Sequence, residues 1–593
     1  MKLAFIILCC FGLLFTGHSQ SHYLRGEVKD ESGKALQNVT ILNKRTGYTY
    51  KSGGAGTFGI IQTQQKDSFL FSLPGFIEVL LYLDADKYAS VKLKAASGKI
   101  SNTNVPKLAS FTTGLARRDQ KKWFAGEETY ASLVENGFIN TQTYPNTGIA
   151  LHVDKASYSN IRRFVNTGST VPPDAVRTEE LLNYFNLNNN DSTQTATMAV
   201  ATQLTDCPWN KNNQLCFVNL KAKKLDVAHL PQAQLVFLID ISASMDMANR
   251  LPLLQSAFKL LTSNLRAQDS VTIVVYGGVT GVMLQTTSGS EKEKIYKAID
   301  ELTPGGYTPG QSGIQLAYNI AKRHFIPGGN NRVVLATDGD FNVGMRTEDD
   351  LEMLITQNKQ AGIYLTCLGV GMGNYKDSKI QLLARMGNGN FAYLDSYQEA
   401  EKVLMTEFTQ TLYSVADNAY LNLAFDPEYV QEYKLLGFDN KLGAISDTLS
   451  IVDGGEIGSG HSLVAAIEFV PTKAYTSLVN QKGNKNIGKI ELSFRANGDT
   501  LTQHTATGIG NNYQSFDKVD SFYRTASSLI MYAGLLRQSA SFKHLKWDDI
   551  IKIATEAAGN GNYLQKDYLT LLTQTKALYT KQKKKKKKKQ ADN

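Results

Sequence analysis

The sequence predicts a multidomain protein whose central domain is a doubly wound, Rossmann-like α/β fold, flanked by mainly-β sandwich domains and a C-terminal helical segment. Three observations predict this. With 593 residues, the chain is too long for a single hydrophobic core. Apolar runs of strand length alternate with helical patterns over residues 231–412, which is typical of a parallel sheet covered by helices. Shorter strand patterns rich in turn residues lie on either side.

Residues 1–20 have the pattern of an export signal peptide. Lys2 precedes the apolar segment Leu3–Phe15, and small and polar residues suited to cleavage follow it. This segment is too short to favour a transmembrane anchor, and no later stretch is long and apolar enough to span a bilayer. We therefore expect an exported protein of the periplasm, the cell surface or the extracellular space, with no transmembrane segment in the mature chain.

Residues 21–95 contain short strand patterns separated by turn residues, which predict a small β-sandwich. The segment contains Gly26-Glu27-Val28, Gly33, Asn38-Val39 and Gly56-x-Phe58-x-Ile60. Through these residues it resembles the carboxypeptidase regulatory-like domain of exported bacterial proteins. This resemblance implies a spacer or docking module without chemistry of its own. Residues 96–126, rich in Ser, Thr, Lys and Asn, are predicted to be a linker.

Residues 127–230 combine two predicted helices with a pair of strands. One helix follows Asp154, and Pro172-Pro173 can start the other, which runs through Tyr184. The strands lie within Val200–Leu220.

Two cysteines, Cys207 and Cys216, flank the predicted turn between these strands. In an oxidising compartment such a pair can close a small loop as a disulfide. The alternative is a pair of reduced, packed thiols, and the sequence leaves both open. Cys367, in an apolar run, is predicted to be a buried strand residue.

The central region, residues 231–412, alternates strands with helices as a parallel sheet requires. The first helix carries apolar residues at helical spacing, which should face the sheet. The third strand is predicted as a short antiparallel edge. The predicted strands are Leu235–Ile239, Val271–Tyr276, Gly281–Leu284, Arg332–Thr337, Ile363–Leu368 and Asn390–Leu394. The predicted helices are Leu251–Arg266, Gln311–Phe325, Glu348–Gln360, Lys379–Arg385 and Gln398–Leu412.

Residues 413–580 return to strand patterns and end in helices. The strand patterns, of which SLVAAIEFVP at 462–471 is the longest, predict a sandwich that packs on the α/β domain. Three helical patterns follow, at Ser521–Gln538, Trp547–Ala558 and Leu564–Leu578.

Residues 581–593 are predicted to form a disordered, lysine-rich tail. Without the run Lys583–Lys589 the chain has 56 basic and 54 acidic residues, so most of its net charge of +9 lies in this tail. Two interpretations are open: a solubilising tail, and a contact with an anionic surface. We expect no specific nucleic-acid binding, because no aromatic stacking residues accompany the lysines.

Five oxygen-bearing side chains predict a cation site. Asp240, Ser242 and Ser244 follow the first strand of the α/β region at alternate positions, Thr308 lies in a Gly-rich loop, and Asp338 follows another strand. In an open α/β sheet, ligands bind outside the carboxyl ends of the strands. Mg²⁺ prefers six oxygens in octahedral array, and these side chains leave one position open. A carboxylate from another molecule can fill that position.

The five residues resemble the metal-ion-dependent adhesion site of von Willebrand factor type A (vWA) domains. The surrounding sequence is similar to a bacterial subgroup that has its own N- and C-terminal flanking regions, here residues 127–230 and 413–580. The segments that carry the subgroup resemblance are PLLQSAFKLL at Pro252–Leu261, GGNNRVVLATDGDFNVG at Gly328–Gly344 and LGVGMGNYKDSKI at Leu368–Ile380.

The resemblance implies a bound Mg²⁺, with Mn²⁺ or Ca²⁺ as alternatives. It implies direct coordination by the three hydroxyls, neutralisation by the two aspartates partly through water, and a protein partner that presents Asp or Glu. Tyr307 departs from the family, many of whose members have a small residue before the threonine. We expect this difference to alter the rim of the site rather than the metal ligands.

These patterns favour a binding protein over an enzyme, with no catalytic residues. Gly369-x-Gly371-x-Gly373 lacks the full spacing of a nucleotide-binding loop, because Asn374 stands at the last glycine position. A Mg²⁺-dependent phosphatase would need a second carboxylate where Ser242 stands. The alternatives are a structural scaffold, in which a flanking domain closes the metal site internally, and, more distantly, a Mg²⁺-dependent hydrolase.

Overall fold

A computed structural model gives the structure of the chain. It describes residues 22–591 except for 47–48, 54, 63, 74–75, 96–127, 129, 131–132, 152, 186–195, 278–279, 306–309, 340–347, 372–376, 439–454, 481–484, 497–498, 500 and 560. The predicted signal peptide and linker therefore lie outside the described residues. Contacts between residues divide the chain into two compact units, of which the first holds the strands before residue 96.

The N-terminal unit consists of two small sheets around one core. Its strands are β1 His22–Asp30, β2 Thr40–Asn43, β3 Thr49–Lys51, β4 Thr57–Gln62, β5 Lys66–Ser72, β6 Val79–Asp84 and β7 Ala89–Leu93. The sheet orders are β4-β1-β7 and β3-β2-β5-β6. In β5, Phe69 and Phe71 are buried and alternate with more exposed residues, as in a strand with one face on a core. Apolar side chains of both sheets meet there, which is the arrangement of a small β-sandwich.

The second unit begins with a mixed segment ahead of the α/β domain. Its elements are β8 Ile139–Asn140, β9 Asn146–Ala150, α1 Ala156–Asn166, α2 Thr178–Tyr184, β10 Met198–Asp206 and β11 Gln214–Ala222. The single helix predicted from Pro172 to Tyr184 is interrupted: Pro173–Ala175 forms a separate 3-10 turn. The Ser157 hydroxyl explains the break, because it donates to the Ala175 carbonyl at 2.7 Å and accepts the Arg177 N–H at 3.0 Å.

The α/β domain contains a six-stranded sheet in the order β14-β13-β12-β15-β16-β17. All neighbouring pairs are parallel except β13 and β14, so the predicted antiparallel edge is confirmed. The strands are β12 Ala233–Asp240, β13 Ser270–Tyr276, β14 Gly281–Ser288, β15 Asn330–Thr337, β16 Ile363–Gly369 and β17 Phe391–Tyr393. The helices are α3 Leu251–Ser263, α4 Lys292–Asp300, α5 Gly310–Arg323, α6 Glu348–Gln360, α7 Asp377–Met386, α8 Tyr397–Glu401 and α9 Phe408–Leu412.

Helices cover both faces of this sheet. On β12, Leu235, Phe237 and Ile239 pack toward α3, α4 and the last helices, whereas Val236 and Leu238 pack toward α5, α6 and α7. Every residue of β12 is buried, as expected of a central strand in a doubly wound sheet.

Two helices of this domain differ from the prediction. The sequence reasoning missed α4, a short helix with only Ile295, Ala298 and Ile299 buried. The single helix predicted from Gln398 to Leu412 is broken by a π-helical turn at Lys402–Thr406. In that turn the Lys402 ammonium lies 3.2 Å from the Glu407 carboxylate, and both side chains are buried, so the extra residue lets them pair in the interior.

The C-terminal segment shares a sandwich with the segment that precedes the α/β domain. Its elements are β18 Ser414–Phe425, β19 Val430–Leu436, β20 Gly455–Gly458, β21 Ser462–Pro471, α10 Lys473–Asn480, β22 Asn486–Ala496, β23 Gln503–Gly510, α11 Ser521–Leu536, α12 Trp547–Ala558 and α13 Tyr563–Ala591. One sheet has the order β10-β11-β21-β19-β8, and the other has β20-β18-β22-β23 with β9 paired to β18. The flanks predicted as separate domains, 127–230 and 413–580, therefore form one composite sandwich around one core.

A helical layer covers the outer face of the five-stranded sheet. Helices α1 and α2 from before the α/β domain pack there with α11, α12 and α13 from the end of the chain. Tyr158 and Tyr184 stack at a ring-centroid distance of 4.2 Å within this layer. The segments before and after the α/β domain therefore pack together, although they lie far apart in sequence.

Cys207 and Cys216 are free, buried thiols. Cys216 faces the core of the composite sandwich, and Cys207 packs in the helical layer on the opposite face of the sheet. Of the two states that the sequence left open, the structure has the reduced one, because side chains on opposite faces of a sheet cannot approach to disulfide distance.

The chain end differs from the prediction of a disordered tail at 581–593, because α13 continues through Ala591. Lysine is a good helix former, and extending an existing helix avoids the cost of nucleation. Among the helices within the described ranges, none is both long enough and apolar enough to cross a membrane.

Candidate functional site

Three hydrogen bonds hold Asp240, the first residue of the predicted site. It ends strand β12, and its side chain is buried. Its Oδ1 accepts the Ser242 N–H at 2.9 Å, and its Oδ2 accepts hydroxyl hydrogens from Thr337 at 3.0 Å and Tyr276 at 3.2 Å. Burial raises the pKa of Asp240, and the charge of Asp338 raises it further. A cation beside this carboxylate would favour its charged form.

Ser242 and Ser244 bring their hydroxyls together. The chain turns after Asp240 into a 3-10 turn at Ala243–Met245, and the two Oγ atoms lie 3.0 Å apart. Adjacent corners of a magnesium octahedron, with metal–oxygen distances of about 2.1 Å, are about 3 Å apart. The two hydroxyls are hydrogen-bonded to each other, and the same spacing also fits neighbouring ligands of one small cation.

Gly277 allows the turn after Asp240 to pack closely against the end of β13. Its φ is +118°, and a Cβ there would lie 2.3 Å from the Ser242 nitrogen. The Ile241 N–H also donates to the Tyr276 carbonyl at 2.8 Å, which holds the turn against the end of β13. The positive φ and the close approach both favour glycine at position 277, and these contacts hold the backbone at Ile241 and Ser242 against the end of β13.

Asp338 directly follows β15, the strand that lies beside β12 in the sheet, and its side chain is buried. Its Oδ2 accepts a hydrogen bond at 2.8 Å from Nη1 of Arg250. The same nitrogen donates to the Ser244 carbonyl at 2.5 Å. Arg250 thus joins the two strand ends that supply the carboxylates.

The sequence reasoning missed Arg250. It directly precedes helix α3, where an arginine is usually solvent-exposed, yet it is only 5% exposed. The backbone at Gly371 covers it, because a Cβ at that glycine would lie 2.6 Å from the arginine Nε. Nothing in the local spacing marks such a residue, since its burial depends on a loop more than a hundred positions away.

Thr308 falls in residues 306–309, outside the described part of the chain. The chain enters this segment beside the site, because the Gly305 N–H donates to the Ile241 carbonyl at 2.8 Å. Helix α5 begins directly after it, at Gly310. The prediction for Thr308 therefore remains a prediction.

The described site combines two buried carboxylates with two hydroxyls, a donor set that suits a hard cation such as Mg²⁺. Over the described ranges, no cluster of three or more His, Cys, Asp or Glu side chains is arranged to hold a metal. Asp240, Ser242, Ser244 and Asp338 would therefore hold a cation with help from hydroxyls rather than as an acidic cluster.

Comparison with known proteins shows the family of this chain. Residues 234–406 match the von Willebrand factor type A domain, so the chain contains a vWA domain. Over 453 residues the chain is 39% identical to the uncharacterized protein YfbK of Escherichia coli K12, an overlap of 73% of this chain and 78% of YfbK. The chain belongs to the YfbK family. Residues 410–578 match the C-terminal region of YfbK, and residues 125–216 match a family described as von Willebrand factor.

Solved structures also align with this chain. A von Willebrand factor type A protein from Catenulispora acidiphila is 16% identical with a TM-score of 0.38, covering 64% of this chain and 90% of that one. The ArnB paralog VWA2 from Sulfolobus acidocaldarius is 15% identical with a TM-score of 0.30, covering 65% and 98%. The assignment to the YfbK family rests on the sequence identity with YfbK.

Proposed function

We propose that the chain is a protein-binding module for adhesion or assembly, rather than an enzyme, and that it acts through a metal-ion-dependent adhesion site. Ser242, Ser244 and Thr308 would coordinate Mg²⁺, and Asp240 and Asp338 would neutralise it. An Asp or Glu of a protein partner would take the remaining position. Protein interaction is common among vWA domains, and the chain contains one.

The observation that carries this proposal is that two adjacent hydroxyls, of Ser242 and Ser244, directly follow the buried Asp240, while the buried Asp338 follows the neighbouring strand. A polar turn that merely capped the next helix would not need a second buried carboxylate at the end of the neighbouring strand. Arg250 compensates the charge of Asp338, whereas among the described residues Asp240 is held by hydroxyl and backbone N–H donors. Charges out of water are costly unless a counter-charge compensates them. A divalent cation is the counter-charge that this donor set fits best.

A structural scaffold is the second candidate, in which a flanking segment closes the metal site internally. What favours it is the number of buried ion pairs between the α/β domain and its flanks. Arg162 of α1 pairs with Asp395 and Glu399, and Lys155 lies 2.9 Å from Glu407. These contacts fix the flanks to the domain that carries the site. A Mg²⁺-dependent hydrolase remains a distant alternative, for which we can name no nucleophile.

Export would place this module in the periplasm, at the cell surface or outside the cell. This part of the proposal rests on the apolar segment Leu3–Phe15. In the same proposal, the N-terminal β-sandwich is a carboxypeptidase regulatory-like spacer, and Lys583–Lys589 contacts an anionic surface.

The test replaces both hydroxyls and keeps both carboxylates. In the double variant Ser242→Ala/Ser244→Ala, we expect Mg²⁺ no longer to raise the unfolding temperature, whereas it does so in the wild type. Acetate, which mimics an acidic side chain, can distinguish a metal site that is open to a partner from one that a flanking segment closes. In the Mn²⁺-loaded wild type, broadening of the acetate methyl proton signal supports an open site, and its absence favours the scaffold.

A further inference from the structure

Arg250 places a fixed positive charge inside the candidate metal site. Its Nη1 bridges the Asp338 carboxylate and the Ser244 carbonyl. The guanidinium is buried, the backbone at Gly371 covers it, and its charge is weakly screened as a result. The guanidinium therefore brings one positive charge to the site.

The net charge of the site affects how tightly it binds a cation and a carboxylate. Two carboxylates suffice to neutralise a divalent cation. With the guanidinium of Arg250 beside Asp338, a loaded site would carry one positive charge in excess. We infer that Arg250 sets the selectivity of this site, lowering its affinity for the divalent cation and raising the affinity of the loaded site for a carboxylate. This inference rests on the proposed metal-dependent function.

Both effects follow from Coulomb interactions at short range in a partly desolvated site. The guanidinium repels a cation bound to the same carboxylates. It attracts the anion that arrives at the open position. If Arg250 only positioned the site, its loss would have a different effect. Without the bridge between Asp338 and Ser244 the site would loosen, and binding of both the cation and the carboxylate would weaken.

The experiment uses the full chain and three variants. Arg250→Gln removes the charge and keeps a hydrogen-bond donor, and Arg250→Lys keeps the charge. Arg323→Gln is the matched control, because it removes an exposed arginine of α5. Calorimetry measures Mg²⁺ affinity, and broadening of the acetate methyl signal at saturating Mn²⁺ measures carboxylate affinity.

We expect Arg250→Gln to bind Mg²⁺ about tenfold more tightly and acetate about tenfold more weakly than the wild type. Arg250→Lys and Arg323→Gln should stay within about twofold of the wild type in both measurements. If Arg250→Gln weakens both steps or changes neither while the wild type binds Mg²⁺, the inference is wrong and the metal site stands. If neither the wild type nor Arg250→Gln binds Mg²⁺, the proposed function and the inference both fail.

Discussion

Arg332 and Glu456 form an ion pair in the interior of the second unit, with 2.8 Å between Nη2 and Oε1. Both side chains are at most 2% exposed. Arg332 belongs to β15, the strand that leads to Asp338, and Glu456 belongs to β20 of the composite sandwich. Arg332 also donates to the Thr366 hydroxyl at 2.8 Å. The α/β domain is therefore tied to its flank at the opposite end of the strand that supplies a site carboxylate.

Replacing only one residue of this pair should destabilise the protein. Arg332→Met leaves the Glu456 carboxylate buried without its counter-charge, and we expect a loss of about 3–5 kcal/mol. The double variant Arg332→Met/Glu456→Leu should lose less than the sum of the two single variants. Thermal unfolding of the four proteins gives the comparison. Additive losses would show that the two residues do not stabilise each other.

The pKa of Glu407 predicts an acid dependence of stability. Burial acts to raise this pKa, but Lys155 and Lys402 outweigh it and the pKa lies below its ordinary value of 4.5. A carboxylate with a lowered pKa in the folded state stabilises the protein above the unfolded-state value, and that contribution is lost as the pH falls through the folded-state value. We expect Glu407→Gln to be less stable than the wild type at neutral pH.

That difference in stability should shrink as the pH falls below about 4.5. Unfolding temperatures of both proteins across this range test the prediction. A difference that stays constant down to strongly acidic pH would mean that the charge of Glu407 does not stabilise the fold. Glu491 offers a matched control, because its side chain is exposed and its replacement by Gln should change little.

The two cysteines of the composite sandwich should resist oxidation to a disulfide. Cys207 and Cys216 face different cores, and burial raises the pKa of both thiols, which disfavours the reactive thiolate. Mass spectrometry of peptides from the folded protein, with and without reductant, should therefore find both as free thiols. A linked peptide that appears only without reductant would contradict the arrangement of β10 and β11.

The lysine run at the end of α13 should govern binding to anionic surfaces. Removing Lys583–Lys589 leaves a near-neutral chain, and each lysine near an anionic membrane contributes about 1 kcal/mol. We expect the full chain to sediment with vesicles that contain anionic lipid at low salt. A variant with the seven lysines replaced by glutamine should not. Equal sedimentation of both proteins would support the solubilising interpretation.

Much of the α/β domain was predictable because its strands are continuous apolar runs and its longer helices have clear periodicity. The helix Glu348–Gln360 was predicted with its observed bounds, and strand β13 differs by one residue at its start. The break at Lys402–Thr406 was not predictable, because it depends on ion pairs with distant residues such as Lys155. The composite sandwich was missed for the same reason, since strand pairing between β11 and β21 crosses the whole α/β domain.

The candidate site was predictable only in part. The pattern of Asp240, Ser242 and Ser244 follows directly from a buried strand that ends in oxygen ligands, and the structure places their atoms together. Arg250 was missed, because its burial depends on the loop at Gly371 rather than on its neighbours in sequence.

The proposed function requires Asp240 to belong to a metal site. The most direct measurement is a calorimetric titration of Mg²⁺ into the metal-free wild type and into Asp240→Ala, together with their thermal unfolding. Asp240→Asn is the control for folding, because its amide oxygen can accept the Ser242 N–H and its amide nitrogen can donate to the hydroxyl oxygens of Thr337 and Tyr276. We predict saturable heat and a raised unfolding temperature in the wild type, and loss of both in Asp240→Ala. The same flat response in wild type and variant would contradict the account and make the domain a metal-free scaffold.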